Sequence, residues 1–287
     1  MLNPGRLLVI WLAILIVAVD RSESRLVAQE TEPVHNLPTT VPQAARLVES
    51  WGNDSVQVLL DHQTLWLVPT KKGLADKRVT ITRLCAPIRS LNWDEANDAP
   101  LKFVPEPDFW VFSWRKSPTG SGVIKVEFDR KPVLPADCPP AEPAGDGSVM
   151  LHAFAGATFG EKLRFEPQWY KNTVGYWTKQ DDYATWKLKV DKPGQYSVAV
   201  LQGCGKGQGG SDAAITLLAG DETVATLPFK TIDTGHFQNF RWNHLGLIDV
   251  VEAGSYQLKI QPTRIAKGAL FDARAIHLVP QAKPAVR

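Results

Sequence analysis

The stretch Thr185-Trp186-Lys187-Leu188-Lys189-Val190-Asp191-Lys192-Pro193-Gly194-Gln195-Tyr196-Ser197-Val198-Ala199-Val200 decides the fold class. Trp186, Leu188 and Val190 point one way while Thr185, Lys187 and Lys189 point the other. A period of two is that of a half-buried strand. Asp191-Lys192-Pro193-Gly194 turns the chain, since Pro fixes φ and Gly accepts conformations that other residues avoid. Tyr196, Val198 and Val200 then resume the inward series. Downstream, strands are expected at residues 214–218, 223–227, 246–251, 256–261 and 273–279. Short strands with turn signals about every ten residues suggest a sandwich or jelly roll.

Upstream the same pattern recurs. Val56, Val58 and Leu60 alternate, followed by strand-like runs at 65–68, 79–81, 109–114 and 123–128. Trp110, Pro118 and Ile124-x-Val126 echo Trp186, Pro193 and Tyr196-x-Val198, which reads as a shared hairpin device. Residues 132–147 hold five prolines and mark a domain boundary. The expected division is a leader at 29–50, a β-sandwich at 51–131, a linker at 132–147, a second sandwich at 148–280 and a tail at 281–287. Residues 44–50 fit one or two helical turns. No sustained helical period occurs elsewhere.

With 21 Pro, 21 Gly and 10 Trp against 2 Met in 287 residues, composition also favours β-sandwiches over helix bundles. There are 32 Lys and Arg against 30 Asp and Glu, a formal net charge of +2. A nucleic-acid partner is not expected, because phosphate contacts need clustered excess Lys and Arg. At the N-terminus, Arg6 precedes an apolar run of 13 residues from Leu7 to Val19, shorter than the roughly 20 needed to span a bilayer. Residues 1–28 therefore read as a secretory signal, and a secreted or periplasmic chain without a membrane anchor is expected. An uncleaved anchor is the alternative.

Cys85, Cys138 and Cys204 form no C-x-x-C pair, which excludes a zinc ribbon or thioredoxin-type site on spacing. A Cys85–Cys138 disulfide, worth about 4 kcal/mol in the chain-entropy model, and two free buried thiols are equally compatible with an oxidising compartment. Gly205-Lys206-Gly207-Gln208-Gly209-Gly210 matches G-x-G-x-x-G, but no helix follows to hold a pyrophosphate, so a flexible surface loop is expected. Gly209-Gly210-Ser211-Asp212-Ala213 lacks the final Gly and the strand-to-helix setting of a nucleophile elbow. His152, His236 and His244 could cluster only through the fold. Asp181-Asp182 fits either a calcium ligand pair or a solvated turn.

The aromatics give the most direction. Trp169-Tyr170, Tyr176-Trp177, Phe237, Phe240 and Trp242 fall in or beside expected loops, with Asn172, Asn239 and Asn243 alongside. Flat rings stack on the apolar face of a sugar while amides and carboxylates take its hydroxyls. The same rings could equally cap a sandwich core.

Residues 148–280 resemble carbohydrate-binding modules of the family 6/35 type. The likeness is carried by Leu163-Arg164-Phe165-Glu166, Gly175-Tyr176-Trp177, the stretch from Trp186 to Val198, Asp233-Thr234-Gly235-His236-Phe237, Leu245-Gly246-Leu247-Ile248, Ala253-Gly254-Ser255-Tyr256 and Asp272-Ala273-Arg274-Ala275-Ile276-His277-Leu278. This order is similar to the accessory end of bacterial α-L-fucosidases and sulfatases. The preceding half, notably Val123-Ile124-Lys125-Val126-Glu127-Phe128-Asp129, resembles the Ig-like sandwich behind the fucosidase barrel. The barrel itself, about 250 residues of β/α repeats, is absent. The resemblance implies two all-β sandwiches and stacking aromatics at Tyr176 or Trp177 and at Phe237; with Asn239 and Asp272 as hydrogen-bonding partners these make the expected ligand site. No cofactor is expected, because the family's calcium-binding Glu has no match around His152-Ala153-Phe154. The resulting expectation is a non-catalytic protein that binds a polysaccharide or glycan. Its rivals are a docking module for a secreted glycosidase, a sulfatase or the cell surface, and a small glycan hydrolase.

Overall fold

The computed structural model describes residues 37–95 and 99–281. The expected signal at 1–28, the start of the leader and all but Gln281 of the tail lie outside them. The first half contains β1 (Arg46–Leu47), β2 (Val56–Asp61), β3 (Thr64–Pro69), α1 (Lys71–Asp76), β4 (Arg78–Thr82), β5 (Ile88–Trp93), β6 (Leu101–Pro105), β7 (Phe109–Trp114) and β8 (Ile124–Phe128). The second contains β9 (Val149–His152), β10 (Ala157–Phe159), β11 (Arg164–Glu166), β12 (Thr173–Gly175), β13 (Tyr183–Val190), β14 (Gly194–Cys204), β15 (Asp212–Ala219), β16 (Glu222–Lys230), β17 (His236–Val250), β18 (Gly254–Arg264) and β19 (Asp272–Pro280).

The fold is all-β, two sandwiches in series. In the first, the sheet β1-β2-β3-β8-β5 faces the sheet β4-β7-β6. Val58, Leu65, Leu67 and Val126 from one meet Val79, Ile81, Trp110 and Phe112 from the other. In the second, β10-β13-β18-β15-β16 faces β11-β12-β19-β14-β17, with β9 added along β19. Trp186, Leu188, Ile215 and Leu258 meet Phe165, Val174, Val198 and Ile276 across that core.

The alternation marks the strands but misplaces their pairing. β13 and β14 lie in opposite sheets, as do β7 and β8, so neither Trp-led unit is a hairpin. Both are arches whose apolar rows face each other through the core. An inward-pointing row looks the same in sequence whether its partner sits beside it or opposite it. The 191–194 turn is pinned by the Tyr196 hydroxyl, which donates to the Lys192 carbonyl at 2.8 Å.

Residues 44–50 form no helix of the expected kind: they give β1 and the start of a 3-10 turn at Glu49–Trp51. The described part of the leader packs Val41 and Ala45 on Leu59, Trp66 and Val123, covering the outer side of the five-stranded sheet. The proline-rich stretch 132–147 is also built in. Ala141 bridges β13, donating to the Lys187 carbonyl and accepting from the Lys189 amide, each at 2.9 Å. Val133 accepts from the Cys85 amide at 2.8 Å. Residues 205–210 are tied down as well: the Gly207 amide donates to Asp233 and the Gly210 amide to Thr231. No helix among the described residues is long and apolar enough to cross a membrane.

Candidate functional site

Four adjacent strands of the second sandwich set a row of residues side by side. Arg164 of β11 pairs with Gly175 of β12, Val174 with Ala273 of β19, and Asp272 with Gly203 of β14. Phe165, Val174 and Ala273 turn into the core. By the alternation of a pleated strand, Arg164, Glu166, Thr173, Gly175 and Asp272 therefore lie on the opposite face. Gly175 leaves room for both acids, since a Cβ there would stand 2.7 Å from Asp272 Oδ1 and 2.8 Å from Glu166 Oε2 and push them aside. Two carboxyl groups thus converge on one bare stretch of backbone.

The charges are arranged around this pair. Lys171 Nζ donates to Glu166 Oε1, and the Thr173 hydroxyl donates to Glu166 Oε2 at 3.4 Å. Burial works against the Lys171 ammonium, but the Glu166 carboxylate prevails and holds its pKa above the ordinary value. Among the described residues no cation forms a salt bridge with Asp272. Burial, reinforced by the nearby Glu166 carboxylate, raises its pKa to about 8, with Lys171 acting the other way. At neutral pH its carboxyl is mainly protonated and can donate a hydrogen bond.

The rim is aromatic. Tyr176 adopts φ +63°, a left-handed conformation rare outside glycine, and 44% of its surface is exposed. The Arg164 guanidinium stacks on its ring at 3.7 Å and also holds the Pro105 carbonyl and Glu106 of the first sandwich. Trp169 is 71% exposed and meets Tyr170 edge to face at 5.7 Å. Arg274 fastens this loop by donating to the Tyr170 and Lys171 carbonyls, and stacks on Phe240 at 3.6 Å.

The structure sorts the expected site residues. Tyr176 and Asp272 belong to this cluster. Phe237 is half-buried on its far side, its ring against Gly205. Asn239 is exposed but serves its own turn, its amide donating to the Thr234 carbonyl. Trp177 is a correction: it is fully buried, its indole donates to the Asp182 carbonyl at 3.0 Å, and it packs on Phe271. The left-handed backbone at Tyr176 breaks the strand alternation after Gly175, which keeps the Tyr176 ring on the outer face and turns Trp177 into the core. Of the Asp181-Asp182 pair, Asp181 is exposed in a turn, whereas Asp182 is buried and accepts from the Glu161 amide at 3.2 Å. Among the described residues no group of three or more His, Cys, Asp or Glu is arranged to hold a metal.

Arg164, Glu166, Lys171 and Arg274 are not among the site residues expected from the sequence, although all but Lys171 lie in the stretches that carry the resemblance. The available signal was the period-two spacing of Arg164 with Glu166, and of Asp272 with Arg274, around inward apolar residues.

No family model matches the chain, and neither does any curated protein. Solved structures do align. The α-L-fucosidase from Vibrio sp. strain EJY3 matches 80% of this chain and 40% of its own at 12% identity, TM-score 0.33. The C-terminal family 6 carbohydrate-binding module of LamC, a marine laminarinase from Zobellia galactanivorans, matches 46% of this chain and 98% of its own at 17% identity, TM-score 0.37. A family 35 carbohydrate-binding module from Clostridium thermocellum matches 47% and 98% at 12% identity, TM-score 0.37. The chain spans less than half of the fucosidase, and no residue role follows from likenesses this distant.

Proposed function

We propose that the protein is an exported, non-catalytic glycan-binding protein whose second sandwich holds the sugar on the face bearing Tyr176. The observation that carries this reading is the Tyr176 ring, exposed in a left-handed backbone conformation and braced by Arg164 beside two converging carboxyl groups. Backbone in that region costs about 1–3 kcal/mol and persists where the surroundings enforce it, which happens often at ligand sites. A pyranose ring stacking on Tyr176 would place its hydroxyls beside the Arg164 guanidinium, with Glu166 and the protonated Asp272 buried beneath the platform. Trp169 and Tyr170 extend the platform for a second residue of the chain.

Other exposed apolar side chains are Leu74 of α1, Phe109 of β7, Phe159 of β10, Ile232, and Trp242, Leu247 and Val251 along and just beyond β17. Three aromatic rings, Trp169, Tyr170 and Tyr176, mark the proposed face, and flat rings suit a glycan. Hydrolysis needs two carboxyl groups with open access to a scissile bond. Here Glu166 is engaged by Lys171, and both acids are largely covered. A glycan-array screen of the mature protein, followed by product analysis of each hit, tests the proposal. Binding without cleavage is expected; cleavage of a hit, or no hit at all, would overturn it.

A further inference from the structure

A cavity of about 690 Å³ opens where the two sandwiches meet the proline-rich stretch, well within the size range of small-molecule sites. Its wall includes Cys85, Cys138, Arg130, His152, Phe154 and His277. A smaller space of about 260 Å³ reaches Cys138 separately. Nothing in the glycan-binding face uses either of them.

Local structure brings the two cysteines together from 53 positions apart in the chain. Cys85 follows β4, and its amide holds the Val133 carbonyl. A turn at 134–138, closed by the Asp137 amide on the Leu134 carbonyl at 3.0 Å, then brings Cys138 to the wall of the cavity that Cys85 also lines. Both thiols are free and buried. The surrounding charge favours an anion on Cys138. The neighbouring Cys85 thiol pulls its pKa down, and Arg83, Lys187 and Arg130 add to this against the effect of burial. The neighbouring Cys138 and burial push Cys85 up. Arg83 is buried, donates to the Gly156 carbonyl at 2.6 Å, and leaves Nε without a hydrogen-bond partner among the described residues.

We propose that Cys85 and Cys138 are a redox-active thiol pair, Cys138 the attacking sulfur, oxidised by a low-molecular-weight disulfide that enters through this cavity. The Cys138 thiolate attacks one sulfur of the incoming disulfide, forming a mixed disulfide and releasing one thiolate. The Cys85 sulfur then attacks Cys138 Sγ, its proton passing to the second departing thiolate. The protein pair loses two electrons, and the small disulfide becomes two thiols. Arg130 at the cavity wall suits an oxidant that carries carboxylates. The new bond would fasten residues 132–147 to the end of β4.

The test is to equilibrate the mature protein in glutathione buffers of rising oxidised fraction, then quench, alkylate after denaturation and map the cysteines by mass. Cys85 and Cys138 should lose alkylation together while Cys204 keeps it. Cys85→Ser should accumulate one glutathione on Cys138, and Cys138→Ser should take none on Cys85. Full alkylation of both cysteines at every ratio, or an adduct on Cys85 in the Cys138→Ser protein, would overturn the proposal. Should a variant not fold, the wild-type protein still decides: iodoacetamide should modify Cys138 at least about tenfold faster than Cys204, whose pKa burial raises to about 11. Equal rates would also overturn it.

Discussion

At Gly175 the chain leaves β12, and the next two side chains part company: the Tyr176 ring stays on the outer face under Arg164, whereas Trp177 fills the core beside Phe271. Trp177→Ala should therefore cost about 3–5 kcal/mol of stability, as for other buried large-to-small changes. Tyr176→Ala should cost about 1 kcal/mol or less, since a half-exposed ring loses little burial. Urea unfolding of the two variants checks this contrast; equal losses would mean that Tyr176 is part of the core. Asp272 predicts a pH effect with a definite sign. The folded chain holds its proton to about pH 8, while an unfolded Asp releases it near about pH 4. Between those values the folded state binds more protons, so stability from this group is complete below about pH 4 and is lost as pH rises to about 8. Wild type should lose stability relative to Asp272→Asn from pH 5 to pH 8, measured by urea unfolding at both. A constant difference between them would contradict the protonated Asp272.

At the scale of elements, Ala141 acts as a bridge on β13, its two hydrogen bonds occupying Lys187 and Lys189. A fragment of residues 148–280 should still unfold cooperatively, since its own two sheets enclose Trp186, Val198 and Leu258. Its thermal midpoint should lie below that of residues 132–280, which keep the bridge. Equal midpoints would show that the docked stretch adds nothing, and no cooperative transition would show that the sandwiches share one core. Strands such as β13 and β14 were legible because burial on one face imposes a period of two. β5 and β6 escaped notice because only Ile88 and Pro105, respectively, are buried in them. The helix α1 is too short for a period to show, and a glycine interrupts it. In the site, Tyr176 and Asp272 were readable as an aromatic and an acid beside turns. The Glu166–Lys171 pair was not, because its partners come together through a loop within one hairpin and neither residue type signals burial.

Across the whole molecule, one continuous apolar cluster runs from Val48 to Leu278. Polar contacts follow it: the Ile88 amide donates to the Pro167 carbonyl at 2.7 Å, Arg83 reaches Gly156, and Arg164 reaches Glu106. The intact chain should therefore unfold in a single calorimetric transition; two resolved transitions would show that the junction carries little energy. Arg164 links this junction to the proposed glycan face, since the guanidinium that holds Glu106 also braces Tyr176. A glycan held on that face should depend on the Tyr176 ring, and calorimetric titration of one glycan-array hit into wild type and Tyr176→Ala measures that dependence. Binding should be 1:1 and weaken about tenfold or more in the variant, a loss of about 1.4 kcal/mol. Unchanged affinity in a well-folded Tyr176→Ala protein would contradict it.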